Sequence, residues 1–303
     1  MIFLGVKLTH DGGFALCDDG VLVCSIEAEK LGNAPRYAIL DTLDTAIDYI
    51  SHIGYALNDI AALVVDGWDT HVPLTTFCDG IPISLVHESY CERNCDELLT
   101  SSVLGALTAR GVRIPTVSYR HVAGHVFGAL LTYPGQVPRI SRVLAWDGGI
   151  PPILYTIDTL RRRVLERKQL HPILGSAYST LSQFFHPFRR SPPDPFALDL
   201  AGKVMAYSAL GVPREAIVNA MTETFSRLFR TDQLVFEADR DPASIVSCGQ
   251  ELSSALSSYD DSDCIASLQF VFGKMLMTAL GRILKDPVEL LCFGGGCALR
   301  ASA

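Results

Sequence analysis

The hydrophobic positions of the chain begin in short runs rather than at helical spacing. Ile2 to Val6, Gly12 to Leu16 and Val21 to Ile26 are three short apolar segments, separated by the turn-rich Asp11-Gly12-Gly13 and Asp18-Asp19-Gly20. Runs of that length bounded by Asp and Gly predict strands, and their close succession predicts an antiparallel meander. The period then changes. Leu43, Ile47 and Ile50 recur at helical spacing between Leu40 and Ile53, and Ile60 to Asp66 is a mostly apolar run of the kind used by a buried parallel strand. A helix from about Glu97 to Arg110, a strand around Ile114 to Tyr119 and a helix from about His121 to Leu131 complete this first set.

A second set begins at Arg142. Val143-Leu144-Ala145-Trp146 reads as a strand ending in Asp147-Gly148-Gly149, with further strands near Ile153 to Ile157 and Val164 to Gln169. Each set therefore starts with an apolar strand, an Asp and a Gly pair. That is the pattern of a duplicated lobe of sheet and helices forming two walls of a nucleotide cleft. The expected fold is α/β, with one lobe over 1–138 and a second over 139–303. The stretch from Phe185 to Pro195 holds Pro187, Pro192, Pro193 and Pro195 and is expected as an exposed loop. Helices dominate from about Ala201, including Pro213 to Leu228 and a long one from about Asp261 to Leu284. A closing strand, Val288 to Phe293, runs into Gly294-Gly295-Gly296.

Composition narrows the function classes. A chain of 303 residues that is 49% hydrophobic can bury one large core or two moderate ones. The net charge of -8 gives no basic field for nucleic acid or anionic lipid, so neither is an expected partner. Mean hydropathy is +0.26, yet no uninterrupted apolar run reaches the roughly 18–20 residues of a membrane span. The opening Met1-Ile2-Phe3-Leu4-Gly5 lacks a charged leader region, and the expected location is cytoplasmic. The nine cysteines, an odd number and mostly far apart, are read as reduced thiols. Cys91 and Cys95 have helical spacing, but no second pair completes a tetrahedral zinc site.

Several segments could carry chemistry. His121 and His125 stand four apart at the start of a predicted helix, so both imidazoles project from one face and could ligate a single metal, while spacing alone also fits a pair of helix-surface or capping histidines. A third ligand with oxygen donors would favour iron. Asp147 ends a buried strand before Gly148 and Gly149, where backbone N–H groups can approach phosphate while the carboxylate faces a cation; a simple turn gives the same pattern. His10-Asp11-Gly12-Gly13 repeats that logic and adds, in His10, a proton acceptor near neutral pH. Gly294, Gly295 and Gly296 follow an apolar strand and permit close approach of a nucleotide, or only a tight turn. Gly202-Lys203 near a helix start is either a phosphate contact or a solvated cap. Glu27 and Glu29 share one strand face and suit paired acid/base work or solvated edge charges.

Taken in order, these segments resemble the NodU/CmcH-type O-carbamoyltransferase family. Gly5 to Glu29 looks like its Gly-x-x-x-x-His-Asp-x-x-x-Ala opening with an acidic pair, and His121-Val122-Ala123-Gly124-His125 looks like its metal-binding His-x-x-x-His. Val143 to Gly149 looks like the strand and Asp-Gly of its second lobe, and Ala201-Gly202-Lys203-Val204-Met205 like its Glu-Gly-Lys-Val-Met segment. Asp263, Ala266 and Gln269, followed by Leu290 to Leu299, look like its Asp-x-x-Ala-x-x-Gln helix and Gly-Gly-x-Ala-Leu turn. Departures are Ala201 for Glu, Arg300 for Asn, and Lys30-Leu31-Gly32 for Glu-Arg-Phe.

The resemblance implies an actin/sugar-kinase-like (ASKHA) fold related to the tRNA threonylcarbamoyl transferase. It implies a carbamoyl-adenylate, made from ATP and carbamoyl phosphate, bound beside ferrous iron or another divalent metal. By that resemblance His121, His125 and Asp147 are metal ligands, and His10 sits by the carbamoyl group as the catalytic base. Asp11, Gly148, Gly149, Gly202, Lys203, Gly294, Gly295 and Gly296 lie against the adenylate. The family pattern continues with a further Asp ligand and a YrdC-like domain, so the second lobe is expected to be incomplete at Ala303 and to associate with a second copy or a chain supplying that domain. The expected activity is carbamoyl transfer to a hydroxyl of a small natural product. Two other readings stand beside it: a non-catalytic nucleotide-binding or assembly protein of the same fold, and a sugar or acetate kinase. Phosphoryl transfer needs magnesium and oxygen ligands, which the paired histidines do not supply.

Overall fold

A computed structural model describes residues 1–31, 37–69, 72–195, 197, 199–229, 242–285 and 288–297. The chain divides into two units, Met1–Gly124 and His125–Ala303. Ala298, Leu299 and Arg300 of the expected Gly-Gly-x-Ala-Leu turn, and Gly32, lie outside the described residues.

In the first unit the apolar runs form the meander β1 (Ile2–Lys7), β2 (Gly13–Asp18) and β3 (Val21–Glu27). Helix α1 (Leu43–His52) buries Leu43, Ala46, Ile47 and Ile50, the stripe that its spacing predicts, and Thr42 caps it by accepting the Asp44 N–H. Strand β4 (Ile60–Asp66) then pairs parallel with β1. The sheet continues through β8 (Val112–Tyr119), parallel to β4, and β7 (Ser102–Ala109), giving the order β3-β2-β1-β4-β8-β7. A separate hairpin, β5 (Leu74–Cys78) with β6 (Ile81–Leu85), has no counterpart among the elements expected from the sequence. Leu4, Val6, Leu16, Leu63 and Val65 from the central strands meet Ile47 and Ile50 in this unit's core.

The helix expected from about Glu97 to Arg110 is not formed. Cys95–Leu99 makes one short turn capped by Asn94, and Ser102–Ala109 is a strand. A bulge around Gly105, where φ is +106°, shifts the register between Val103 and Gly105, so the more buried positions run 102 and 104 before it and 107 and 109 after it. The inward residues Leu104 and Leu107 are thereby three apart, which imitates a helical face. Arg110 and Gly111, both with positive φ, form the two-residue turn that folds β7 onto β8.

Helix α2 (His121–Leu131) runs across the unit boundary and buries Val122, Val126 and Leu130. In the second unit β9 (Ile140–Asp147), β10 (Ile150–Asp158) and β11 (Arg163–Gln169) repeat the meander. Helices α3 (Ser176–Ser182), α4 (Leu200–Ser208), α5 (Glu215–Phe229), α6 (Pro242–Ala255) and α7 (Asp261–Ile283) follow. The last strand, β12 (Leu291–Gly294), pairs parallel with β9 and completes the order β11-β10-β9-β12.

The long helix α7 is apolar and long enough to cross a membrane by length and composition. Half of its apolar 18-residue stretch is nevertheless buried, with Ile265, Leu268, Val271, Phe272, Leu276 and Leu280 facing the core. Phe272 stacks on Trp146 of β9 at 5.9 Å and meets Tyr178 and Phe225 edge-on. Asp263 fixes its first turn by accepting the Val212 N–H at 2.8 Å and Arg214 Nε at 2.7 Å, and Ser267 Oγ accepts the Arg214 N–H. The Asp-x-x-Ala-x-x-Gln pattern thus has a structural role, because its Asp ties the α4–α5 connection to α7.

Candidate functional site

In the first unit, the turn after β1 carries His10 and Asp11. His10 Nδ1 lies 2.8 Å from Asp11 Oδ2, and the His10 side chain is about a quarter exposed. Its ring meets the Trp68 indole edge-on at 5.0 Å, and Trp68 in turn meets Tyr90 at 5.2 Å and His121 at 6.1 Å. Tyr90 and His121 lie 4.5 Å apart. An aromatic row therefore links the expected base to the first expected metal ligand.

His121 opens α2, two residues beyond the end of β8, and is buried. Its Nδ1 is 2.7 Å from Asp66 Oδ2, at the end of β4. Asp66 pairs with Tyr119 in the β4–β8 ladder, so the sheet itself brings the carboxylate beside the helix start. Gly67 allows that approach: a Cβ there would lie 2.7 Å from the carbonyl oxygens of Ser89 and Tyr119 and 2.9 Å from the His121 nitrogen. Arg120, just before the helix, is gripped by Glu88 at 3.3 Å and Glu97 at 3.4 Å. Asp66, Trp68 and Tyr90 are not among the residues that the sequence singles out. One signal for Asp66 was present, because Asp66-Gly67 repeats the strand, Asp and Gly pattern of Asp147-Gly148.

In the second unit, His125 stands one helical turn after His121, and its Nε2 lies 3.2 Å from Asp147 Oδ2. Asp147 ends β9, and its Oδ1 accepts the Gly296 N–H at 2.7 Å. Gly148 and Gly149 form the turn from β9 to β10. A Cβ at Gly294 would lie 2.4 Å from the His125 carbonyl oxygen, and one at Gly295, where φ is +91°, would lie 2.5 Å from that of Trp146. These glycines let the end of β12 lie directly on the backbone that carries His125 and Asp147. The structure thus brings His125, Asp147 and 294–296 together within one unit.

Other expected residues are placed differently. Gly202 and Lys203 lie in α4, where Lys203 Nζ is 2.8 Å from Asp199; the Lys203 hydrogen bond, followed by Arg190, holds the Asp199 carboxyl below its usual range. Glu27 ends β3, and Glu29 just beyond it pairs with Lys30. No disulfide joins any of the nine cysteines, and burial pushes the Cys248 and Cys264 thiols up to about 12. Beside Trp146, burial drives His171 down to about 3, so this core imidazole is neutral.

Two meanders, each followed by a strand parallel to its first, define the class: the fold is that of the actin-like ATPases and sugar kinases. Among solved structures, component A of the Acidaminococcus fermentans (R)-2-hydroxyglutaryl-CoA dehydratase aligns over 99% of this chain and 85% of its own, with TM-score 0.50 and 12% identity. The chain belongs to the carbamoyltransferase N-terminal family, whose model matches residues 2–303. Nodulation protein U of Bradyrhizobium diazoefficiens is 31% identical over 99% of this chain and 55% of its own length, and that of Rhizobium tropici is 32% identical over 99% and 54%. The 3'-hydroxymethylcephem-O-carbamoyltransferase of Streptomyces clavuligerus is 27% identical over 71% of this chain and 38% of its own. The chain spans about half the length of the nodulation relatives.

Proposed function

We propose that this chain performs the acceptor half of O-carbamoyl transfer, moving a carbamoyl group from carbamoyl-adenylate to a hydroxyl of a small natural product. The observation that carries the reading is the family match over residues 2–303, to which a relative named for O-carbamoyl transfer adds weight. In the proposed reaction the acceptor oxygen forms a bond to the carbamoyl carbon. The bond from that carbon to the adenylate phosphate oxygen breaks, AMP leaves with the electron pair, and the hydroxyl proton passes to a base.

His10 suits the base. Asp11 Oδ2, 2.8 Å from Nδ1, favours the hydrogen on that nitrogen and leaves Nε2 as the proton acceptor. Partial exposure makes the ring reachable by a substrate. In this reading Asp11, Gly148, Gly149, Gly202, Lys203, Gly294, Gly295 and Gly296 border the adenylate.

His121, His125 and Asp147 are the residues that would hold a divalent ion. Two imidazoles and a carboxylate suit iron(II), and the donor set fits: His125 and Asp147 already converge at 3.2 Å, and His121 has a carboxylate behind its other nitrogen. When bound, the ion supplies Lewis acidity toward the carbamoyl oxygen. A further stretch of polypeptide or a partner chain would make the carbamoyl-adenylate from ATP and carbamoyl phosphate, and cysteines outside disulfides fit a reducing, cytoplasmic compartment.

Calorimetric titration of the purified chain with ferrous iron, ATP and AMP, beside His121→Ala, tests this. Iron-dependent nucleotide binding that is lost in the variant is the expected result. No binding of either ligand would overturn it in favour of a non-catalytic assembly protein.

A further inference from the structure

We propose that Asp66 is a positioning residue for His121: its carboxylate takes the Nδ1–H of that imidazole, fixes the tautomer and commits Nε2 as the atom offered to an ion. The part that concerns the ion rests on the reading above; the tautomer rests on geometry alone.

The separation of 2.7 Å between Asp66 Oδ2 and His121 Nδ1 is short, as expected of an N–H donating to a carboxylate. A carboxylate only accepts, so the nitrogen it faces carries the hydrogen. Both partners are fixed by the sheet rather than by flexible loops. Asp66 is the last paired residue of β4, opposite Tyr119, and His121 follows Tyr119 by two residues. Gly67 brings the strand end against the helix backbone, where any Cβ would meet three backbone atoms within 2.9 Å. The ring is held from the sides by Tyr90 at 4.5 Å and the edge of Trp68 at 6.1 Å.

A buried imidazole with its plane fixed in this way has one choice left, which nitrogen bears the proton, and Asp66 makes it. Carboxylates behind histidine ligands orient the ring and raise its basicity, and their loss typically costs 10–100-fold in metal affinity.

The test uses the full chain with Asp66→Ala, Asp66→Asn and His121→Ala. Long-range nitrogen–proton spectra of the metal-free parent are expected to show His121 protonated at Nδ1, with a mixture of tautomers in Asp66→Ala. Protonation at Nε2 in the parent overturns the proposal, whatever the metal does. Ferrous iron titration is expected to show binding about 10–100-fold weaker in Asp66→Ala. Asp66→Asn should retain part of the affinity, because its amide oxygen still accepts. Unchanged affinity in Asp66→Ala, in a chain whose parent binds iron and whose His121→Ala variant does not, also overturns it. If the parent binds no iron, the metal reading fails by itself and the spectra still decide the role of Asp66. Should Asp66→Ala not fold, the parent spectra and Asp66→Asn carry the decision.

Discussion

The sheets of the two units share a beginning and then diverge. In the first, β1 leads a meander and later receives β4 in parallel after one α-helix among the described residues; in the second, β9 leads the same meander and receives β12 after five among them. The first meander turn carries His10-Asp11 in one unit and Asp147-Gly148 in the other. At the end of the parallel strand stand Asp66-Gly67 and Gly294-Gly295. Each of these ends presses on the backbone of α2 in its own unit, Gly67 at the His121 nitrogen and Gly294 at the His125 carbonyl oxygen. The backbone approach is the shared feature, and the side chain delivered is not. The first unit supplies its acid from the parallel strand, as Asp66; the second supplies it from the meander turn, as Asp147. Two histidines one turn apart thus each have a carboxylate beside them, and the two carboxylates differ in origin.

The sharpest way to break this comparison is to add a methyl group at each contact. Gly294→Ala and Gly67→Ala should each cost about 3 kcal/mol, since backbone atoms cannot rotate away as side chains do. Gly294→Ala should be the worse of the two, because its Cβ would lie 2.4 Å from a carbonyl oxygen against 2.7 Å at Gly67. Urea denaturation of both variants checks this. If Gly294→Ala is tolerated within about 0.5 kcal/mol, that strand end does not grip the helix; if Gly67→Ala is, the strand end is not held against the Ser89 and Tyr119 carbonyls and the His121 nitrogen, and either result breaks the parallel between the units.

The sequence showed the meanders, β4 and α2 because their signals are local: short apolar runs ended by Asp and Gly, and a helix with a clear start. It hid what depends on pairing. The bulge at Gly105 put Leu104 and Leu107 three apart and made a strand look helical, although Arg110-Gly111 after it was a legible turn. Of the candidate site, His10, His121, His125 and Asp147 were readable as motifs and sharpened by resemblance. Asp66 carried the same strand, Asp and Gly pattern, but its pairing with His121 was hidden, because the two lie 55 residues apart and only the β4–β8 ladder brings them together. Lys203 was legible as a choice between a phosphate contact and a solvated lysine, and its ion pair with Asp199 needed coordinates.

A second contrast lies in what each core contains. The second unit buries His171 against Trp146, with Nδ1 facing the Ile173 N–H at 3.3 Å, and burial holds it neutral down to about pH 3. Its ordinary value is 6.5, so the native state binds fewer protons than the unfolded chain between those limits. The stabilising balance is complete above about pH 6.5 and is lost progressively as the pH falls toward 3. Between pH 7 and pH 5 this one group should lower stability by about 2 kcal/mol. Melting curves across that range, with His171→Phe beside the parent, measure it: the variant should lose most of the acid sensitivity that the parent shows. An equal slope in both would mean that the acid response of this unit arises elsewhere.

The smallest effect sharpens the comparison from the opposite side, by adding a methyl group to α2 where neither strand end reaches. Gly128 lies on the exposed face of that helix, three residues after His125, and a Cβ there meets nothing within 4 Å. Gly128→Ala removes conformational freedom from the unfolded chain and should stabilise by about 0.5–1 kcal/mol. The same substitution thus carries opposite signs on α2 and at the strand ends that press on it. Since Gly128→Ala leaves both histidines and their carboxylates in place, the iron binding proposed above should not weaken, and thermal unfolding should shift upward by a few degrees. A loss of affinity in this variant would show that the helix tolerates no stiffening along its length, and that the grip on α2 is not confined to Gly67 and Gly294.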